Sequence, residues 1–277
     1  MFSDTAVRGR QARCGAMVAA IAAAPLAGLA GYLLAPEAWQ SVAASLAAYA
    51  VIFLAAVWAD TGRSERSAGG PFIQALCGVM CAFGCMPLAT VVSNAASMFF
   101  PGYAGSSAMA DLVSAHGMAV ALFVLAAVPA ACEELAMRGA IYGTFRQRSA
   151  VCAVAWSTVL FAAIHGSAAQ FAAALPCGLV LGLLRWSGGS LVPCVSMHFT
   201  FNALSVLYTA YGDGSWSGVP AAVVIAGGLA CAMCIMALWL PRRDGLGPGP
   251  DRSVPACPWQ FAAWLAAAVA IRLFCVL

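Results

Sequence analysis

The chain has 277 residues, of which 63% are hydrophobic and 8% charged, with a mean hydropathy of +0.91; ordinary soluble domains hold roughly 45–50% apolar and about 25% charged residues. A soluble globular protein is excluded. The net charge is +3, every one of the 13 basic residues is Arg, and most of these lie in short breaks between apolar runs, so the continuous basic patch of a nucleic-acid binder is missing and no nucleic-acid partner is expected. Of the 12 cysteines, all but one lie within or beside apolar runs. There Cys acts as a small hydrophobe, and no disulfides are expected.

A spanning helix needs about 20 mostly apolar residues. Cutting at the polar breaks gives nine stretches: Gly15 to Leu34, Gln40 to Ala59, Phe72 to Phe100, Gly117 to Phe145, Ala150 to His165, Ala168 to Leu184, Leu191 to Tyr211, Val219 to Leu240, and Trp259 to Leu277. The expected fold is an all-α, polytopic transmembrane bundle of about eight to nine spanning helices, with residues 1–277 forming one membrane domain. The first stretch follows Arg8, Arg10 and Arg13; its apolar part exceeds the usual ~7–15 residues of a signal peptide, so it reads as an uncleaved anchor. The other inner arginines come after even-numbered stretches: Arg63 and Arg66, Arg146 and Arg148, Arg185, then Arg242, Arg243 and Arg252. The intervening loops carry Glu37, Asp111 and Asp213 and no Arg. The positive-inside rule then puts the N-terminus in the cytoplasm. The stretch from Pro241 to Pro258, with five prolines and three glycines, reads as a flexible inner loop. Arg272 in the last stretch either snorkels to the outer interface or marks a segment lying along the membrane.

Charged groups near the bilayer centre cost roughly 2.5–3.5 kcal/mol each on insertion scales, so they need a partner or a function. Glu133, Glu134 and Arg138 fall inside the fourth stretch. At about 100° per residue, Glu134 and Arg138 are about 40° apart on a helix, and Glu133 and Arg138 about 140°. Glu134 is therefore expected to pair with Arg138, leaving Glu133 facing elsewhere and available for chemistry. His165 ends the fifth stretch; His198 lies in the seventh, with Asn202 one turn beyond it. Counted at 1.5 Å per residue from the inner breaks, Glu133, His165, His198 and Asn202 all lie about 15–25 Å up, within one layer of a ~30 Å core. A lone buried His or Asn is more often interhelical glue. Six polar groups at matching depth point instead to one buried pocket.

Other polar and sulfur features read as structural. His116 lies at the outer end of the fourth stretch, about 25 Å along a helix from Glu133, and is assigned to the interface. Cys77, Cys81 and Cys85 form a stripe on one helix face, and Cys231 with Cys234 a CxxC; both lack a His or acidic partner nearby in sequence and suit close helix packing. Trp39, Trp186, Trp216 and Trp259 fall near stretch ends, as in an aromatic belt.

The ordered set Glu133-Glu134-x-x-x-Arg138-Gly139, Phe161-x-x-x-His165 and His198-x-x-x-Asn202, with the lead-in from Gly182 to Leu191, resembles the CPBP family of intramembrane proteases. That family includes type II CAAX prenyl endopeptidases and bacterial proteins linked to bacteriocin processing or self-immunity. The resemblance covers about residues 122–211, which would form the protease core. It implies an endopeptidase acting on a membrane-associated peptide or protein, whether a CAAX-type substrate, a C-terminal sorting signal or a peptide precursor. It also implies a bacterial plasma membrane location. Water would be activated by Glu133, with His165 and His198 assisting and Asn202 stabilising the tetrahedral intermediate, while Glu134 and Arg138 complete the site. A zinc ion held by Glu133, His165 and His198, with Glu134 as base, is the alternative. The metal-free arrangement is favoured because Glu134 is the residue geometry gives to Arg138. Two rival functions stand beside the peptidase: a non-catalytic peptide-binding or self-immunity protein, and an ion-coupled transporter, although transporters often carry inverted repeats and none is visible.

Overall fold

The computed structural model describes residues 4–59, 69–99, 105–146, 148–165, 167–212 and 219–241. These form helices joined by short connections, with no strand among the described residues. They are α1 (Asp4–Leu34), α2 (Gln40–Ala59), α3 (Pro71–Phe99), α4 (105–145), α5 (Ala150–Ala163), α6 (Ala168–Gly188), α7 (Val192–Tyr211) and α8 (Ala221–Trp239). Eight of the nine expected stretches thus fold as helices. The ninth, Trp259 to Leu277, lies outside the described residues, as do Arg63, Arg66, Asp213, Trp216 and the loop arginines after α8.

Six helical segments are long and apolar enough to cross a bilayer: Gly15–Leu34, Glu37–Ala59, Pro71–Phe99, Met109–Phe145, Ala168–Gly188 and Ala221–Trp239. Two expected spans differ in character. Helix α5 has 14 residues, roughly 21 Å of rise against a ~30 Å core. Helix α7 has the length, but His198, Thr200, Asn202 and Ser205 dilute its apolarity. Large side chains such as Leu34, Phe72 and Phe99 are mostly exposed, as expected of a surface that faces lipid. The chain is an integral, multi-pass membrane protein.

Local chemistry sets the helix ends. Ser149 and Ser167 cap α5 and α6 by accepting from Cys152 N and Gln170 N at 3.0 and 3.2 Å, the usual hydroxyl N-cap. Gly189 ends α6 in the left-handed region at φ 73°, and Pro193 opens α7 at a position where its missing N–H is not needed.

Helix α3 is the central post and packs on α6, α7 and α8. Its crossing with α8 is a backbone contact. A Cβ on Gly84 would lie 2.5 Å from Gly227 O and one on Gly227 2.2 Å from Gly84 O, so neither position tolerates a side chain without separating the helices. The cysteine stripe lies on this post. Cys231 Sγ donates to Cys81 O at 3.5 Å, and Cys85 Sγ lies 3.6 Å from Cys177 Sγ; the nine cysteines whose side chains are described are free thiols.

Helix α4 departs most from regularity. Gly117 breaks it at φ 81°, ψ 165°, so the stretch expected to start at Gly117 does start there, behind a separate leading segment. Beyond it, Phe123–Ala127 and Leu135–Ile141 are π-helical and bracket the α-helical turns Val128–Glu134. Such wide turns concentrate at functional sites. Here they flank the two glutamates.

Candidate functional site

Glu133 and Glu134 lie at the end of the α-helical part of α4, both buried. Arg138, also fully buried, donates from Nη1 to Glu134 Oε1 at 2.9 Å. The expected pairing holds even though the intervening backbone is π-helical. Arg138 makes two further contacts: Nη2 donates to Gly178 O on α6 at 3.0 Å, and its guanidinium lies 4.5 Å above the Phe161 ring of α5. One cation therefore ties three helices together, the use to which the planar, multi-donor guanidinium is suited.

Glu134 has a second partner that the sequence did not reveal. His198 Nδ1 lies 2.8 Å from the same Oε1. A carboxylate only accepts, so Nδ1 carries the proton and Nε2 turns to the other side, 4.0 Å from Glu133 Oε2. Besides the expected pairing with Arg138, Glu134 thus also holds the imidazole of α7. The Phe161 ring meets His198 edge-on at 5.4 Å and His165 at 5.0 Å. His165 Nδ1 donates to Phe161 O at 2.7 Å, which fixes its tautomer in the same sense. Phe161, named in the sequence only as the first residue of the second motif, thus lies against Arg138, His165 and His198.

Glu133 faces away from the ion pair, as the helical angles predict. Its Oε1 accepts from Tyr49 of α2 at 2.8 Å. Glu133, His165, His198 and Asn202 all line one cavity of about 1270 Å³, and neither Glu134 nor Arg138 reaches its wall. The six expected residues therefore divide into four on the cavity and two behind it. Asn202 makes no side-chain hydrogen bond among the described residues and stands on the wall one turn from His198. The rest of the wall comes from α1 to α7, with Ile21, Ile52, Met86, Leu125, Phe161 and Leu181 among its apolar members.

Two further sequence readings change. His116 does not stand apart from the site: it lines the same cavity, next to the break at Gly117, and its ring lies 4.5 Å from that of Trp39, tilted by 37°. Arg185 is not a loop charge. It is buried in the last turn of α6, donates from Nε to Arg138 O at 3.1 Å and lies 5.1 Å over the Tyr142 ring.

No three His, Cys, Asp or Glu side chains among the described residues converge closely enough to hold a metal ion. The set Glu133, His165 and His198 that zinc would need shares a cavity but not a coordination sphere. As arranged, these residues do not fit the ion.

A family model, type II CAAX prenyl endopeptidase Rce1-like, matches residues 115–204. No curated protein and no solved structure matches the chain. The matched segment holds all three motifs, from Glu133 to Asn202. Over residues 115–204 the chain is thus similar to the Rce1-like type II CAAX prenyl endopeptidases, which supports the CPBP resemblance for that segment.

Proposed function

We propose that this protein is an intramembrane endopeptidase that hydrolyses a peptide bond of a membrane-associated substrate of CAAX type, with Glu133 activating the water. The observation that carries the reading is that Glu133, His165, His198 and Asn202, from α4, α7 and the end of α5, line one cavity, while the charged pair that holds His198 stays behind its wall.

In this reaction Glu133 Oε2 takes a proton from water, and the resulting hydroxide attacks the scissile carbonyl carbon. The negative charge moves to the carbonyl oxygen, where the Asn202 amide donates; one such donor is worth about 2.7–4 kcal/mol in comparable sites. His198, its Nδ1 proton held by Glu134, keeps Nε2 beside Glu133 and the water. The proton on Glu133 then passes to the leaving nitrogen as the C–N bond breaks, giving a carboxylic acid and an amine. No metal takes part in these steps. The N-terminus and the Arg146 loop face the cytoplasm, and residues 122–211 form the protease core.

The test is mass spectrometry of membrane-associated peptides from cells expressing the protein or its Glu133→Gln variant. Processed peptides are expected only with the former. Identical peptide profiles, with the variant still binding peptide, would replace the enzyme by a peptide-binding or immunity protein.

A further inference from the structure

Glu133 is a buried carboxylate whose two oxygens have different surroundings. Oε2 lies 4.0 Å from His198 Nε2, and Oε1 accepts from the Tyr49 hydroxyl at 2.8 Å. Tyr49 comes from α2, 84 residues earlier in the chain, and itself lines the cavity. Helix α2 packs on α4 along both the turns Val128–Glu134 and the π-helical turns after them, so it runs alongside the segment that carries Glu133.

The last torsion of a glutamate is broad and two-fold, so an untethered carboxylate exchanges its oxygens and sweeps its basic lone pairs through a wide arc. A charge-assisted O–H···O⁻ bond removes that freedom. We propose that Tyr49 is a positioning residue for Glu133: by holding Oε1 it fixes Oε2 as the oxygen presented to the cavity and to His198. This rests on Glu133 being the base of the proposed hydrolysis. It also means that the matched segment 115–204 does not contain its whole site, because α2 supplies the tether.

The test uses the full chain in detergent and two readouts. In infrared difference spectra, wild type minus Glu133→Gln isolates the Glu133 carboxylate stretch. Tyr49→Phe is expected to shift that band while the fold is retained. With a prenylated CAAX peptide as probe, Tyr49→Phe is expected to lower kcat about 10- to 100-fold with KM within about twofold, since loss of alignment rather than of binding is at stake. If wild type leaves the probe uncut, the hydrolase reading fails and the band alone still decides the tether. An unmoved Glu133 band in folded Tyr49→Phe overturns the proposal, as does a moved band with unchanged kcat. Should Tyr49→Phe not fold, 3-fluorotyrosine at position 49 keeps ring and hydroxyl as a stronger donor; the band is then expected to move, and a stationary band overturns the tether.

Discussion

His198 Nδ1 and Arg138 Nη1 both lie against a single oxygen of Glu134, at 2.8 and 2.9 Å. The second carboxylate of the pair is thus a hub joining α4 to α7, and through Arg138 to the Gly178 carbonyl of α6 and the Phe161 ring of α5. Its position behind the cavity wall gives it a structural part and a second part exerted through His198.

The two glutamates are therefore expected to fail differently. Glu133→Gln keeps the shape and the Tyr49 contact but cannot take a proton, so it yields a folded, inactive protein with unfolding temperature close to wild type. Glu134→Gln strands a fully buried guanidinium, and breaking such a pair typically lowers stability by about 3–5 kcal/mol; it also releases His198 and so lowers activity in whatever fraction remains folded. Thermal unfolding in detergent, run beside a cleavage assay, checks both. Equal stability losses would remove the division of roles.

Arg138→Lys separates charge from geometry. An ammonium can replace the bond to Glu134, but it cannot at once reach Gly178 O and lie flat on Phe161 as the guanidinium does. A loss of about 1–3 kcal/mol is expected from the unpaired buried acceptor and the lost stacking. A variant as stable as wild type would show that the contacts to α5 and α6 add nothing to the charge.

The parts of the site legible in the sequence are those governed by one helix. Glu134 with Arg138 follows from a four-residue spacing, Asn202 from its place one turn after His198, and Glu133's outward face from the same angles. Depth counting brought α4, α5 and α7 to one layer because a bilayer forces the helices into register. Contacts between helices remote in sequence were not legible. Nothing marks Tyr49, one aromatic in the apolar run of α2, as a partner of Glu133, and nothing assigns His198 to Glu134, 64 residues away. The cysteines show the same limit: their suitability for close packing was readable, but not that Cys81 would meet Cys231 across the Gly84–Gly227 crossing. His116, distant from Glu133 along the helix, borders the cavity as well, which spacing along one helix could not show.

The distribution of arginines leads to a topology. Arg185 is a core group rather than a loop charge, which leaves Arg8, Arg10, Arg13, Arg63, Arg66, Arg146, Arg148, Arg242, Arg243 and Arg252 to set the orientation, and these still agree. Single cysteines introduced in a cysteine-free background are expected to be labelled from the inner side at position 147 and only from the outer side at position 213. Labelling of position 213 from the inner side alone would reverse the orientation.

The metal question turns on how many tasks the polar set can perform at once. Zinc at Glu133, His165 and His198 would need both imidazole Nε2 atoms and Glu133 Oε2 within about 2.0–2.2 Å of one point, yet no such group of three forms among the described residues. Glu134 would then have to act as base, abandoning both Arg138 and His198 and leaving a buried cation unpaired. In the metal-free arrangement every charged group keeps its partner: Glu134 holds Arg138 and His198, Tyr49 holds Glu133, and Oε2 is left for water. Purified, active protein is therefore expected to contain well below one zinc per chain and to keep its activity after prolonged exposure to a strong chelator. Stoichiometric zinc by elemental analysis, lost together with activity on chelation and restored by added metal, would overturn the metal-free mechanism. The same cavity would then have to close further, drawing His165 and His198 onto Glu133, and Glu134→Gln would lose activity through loss of the base as well as through Arg138.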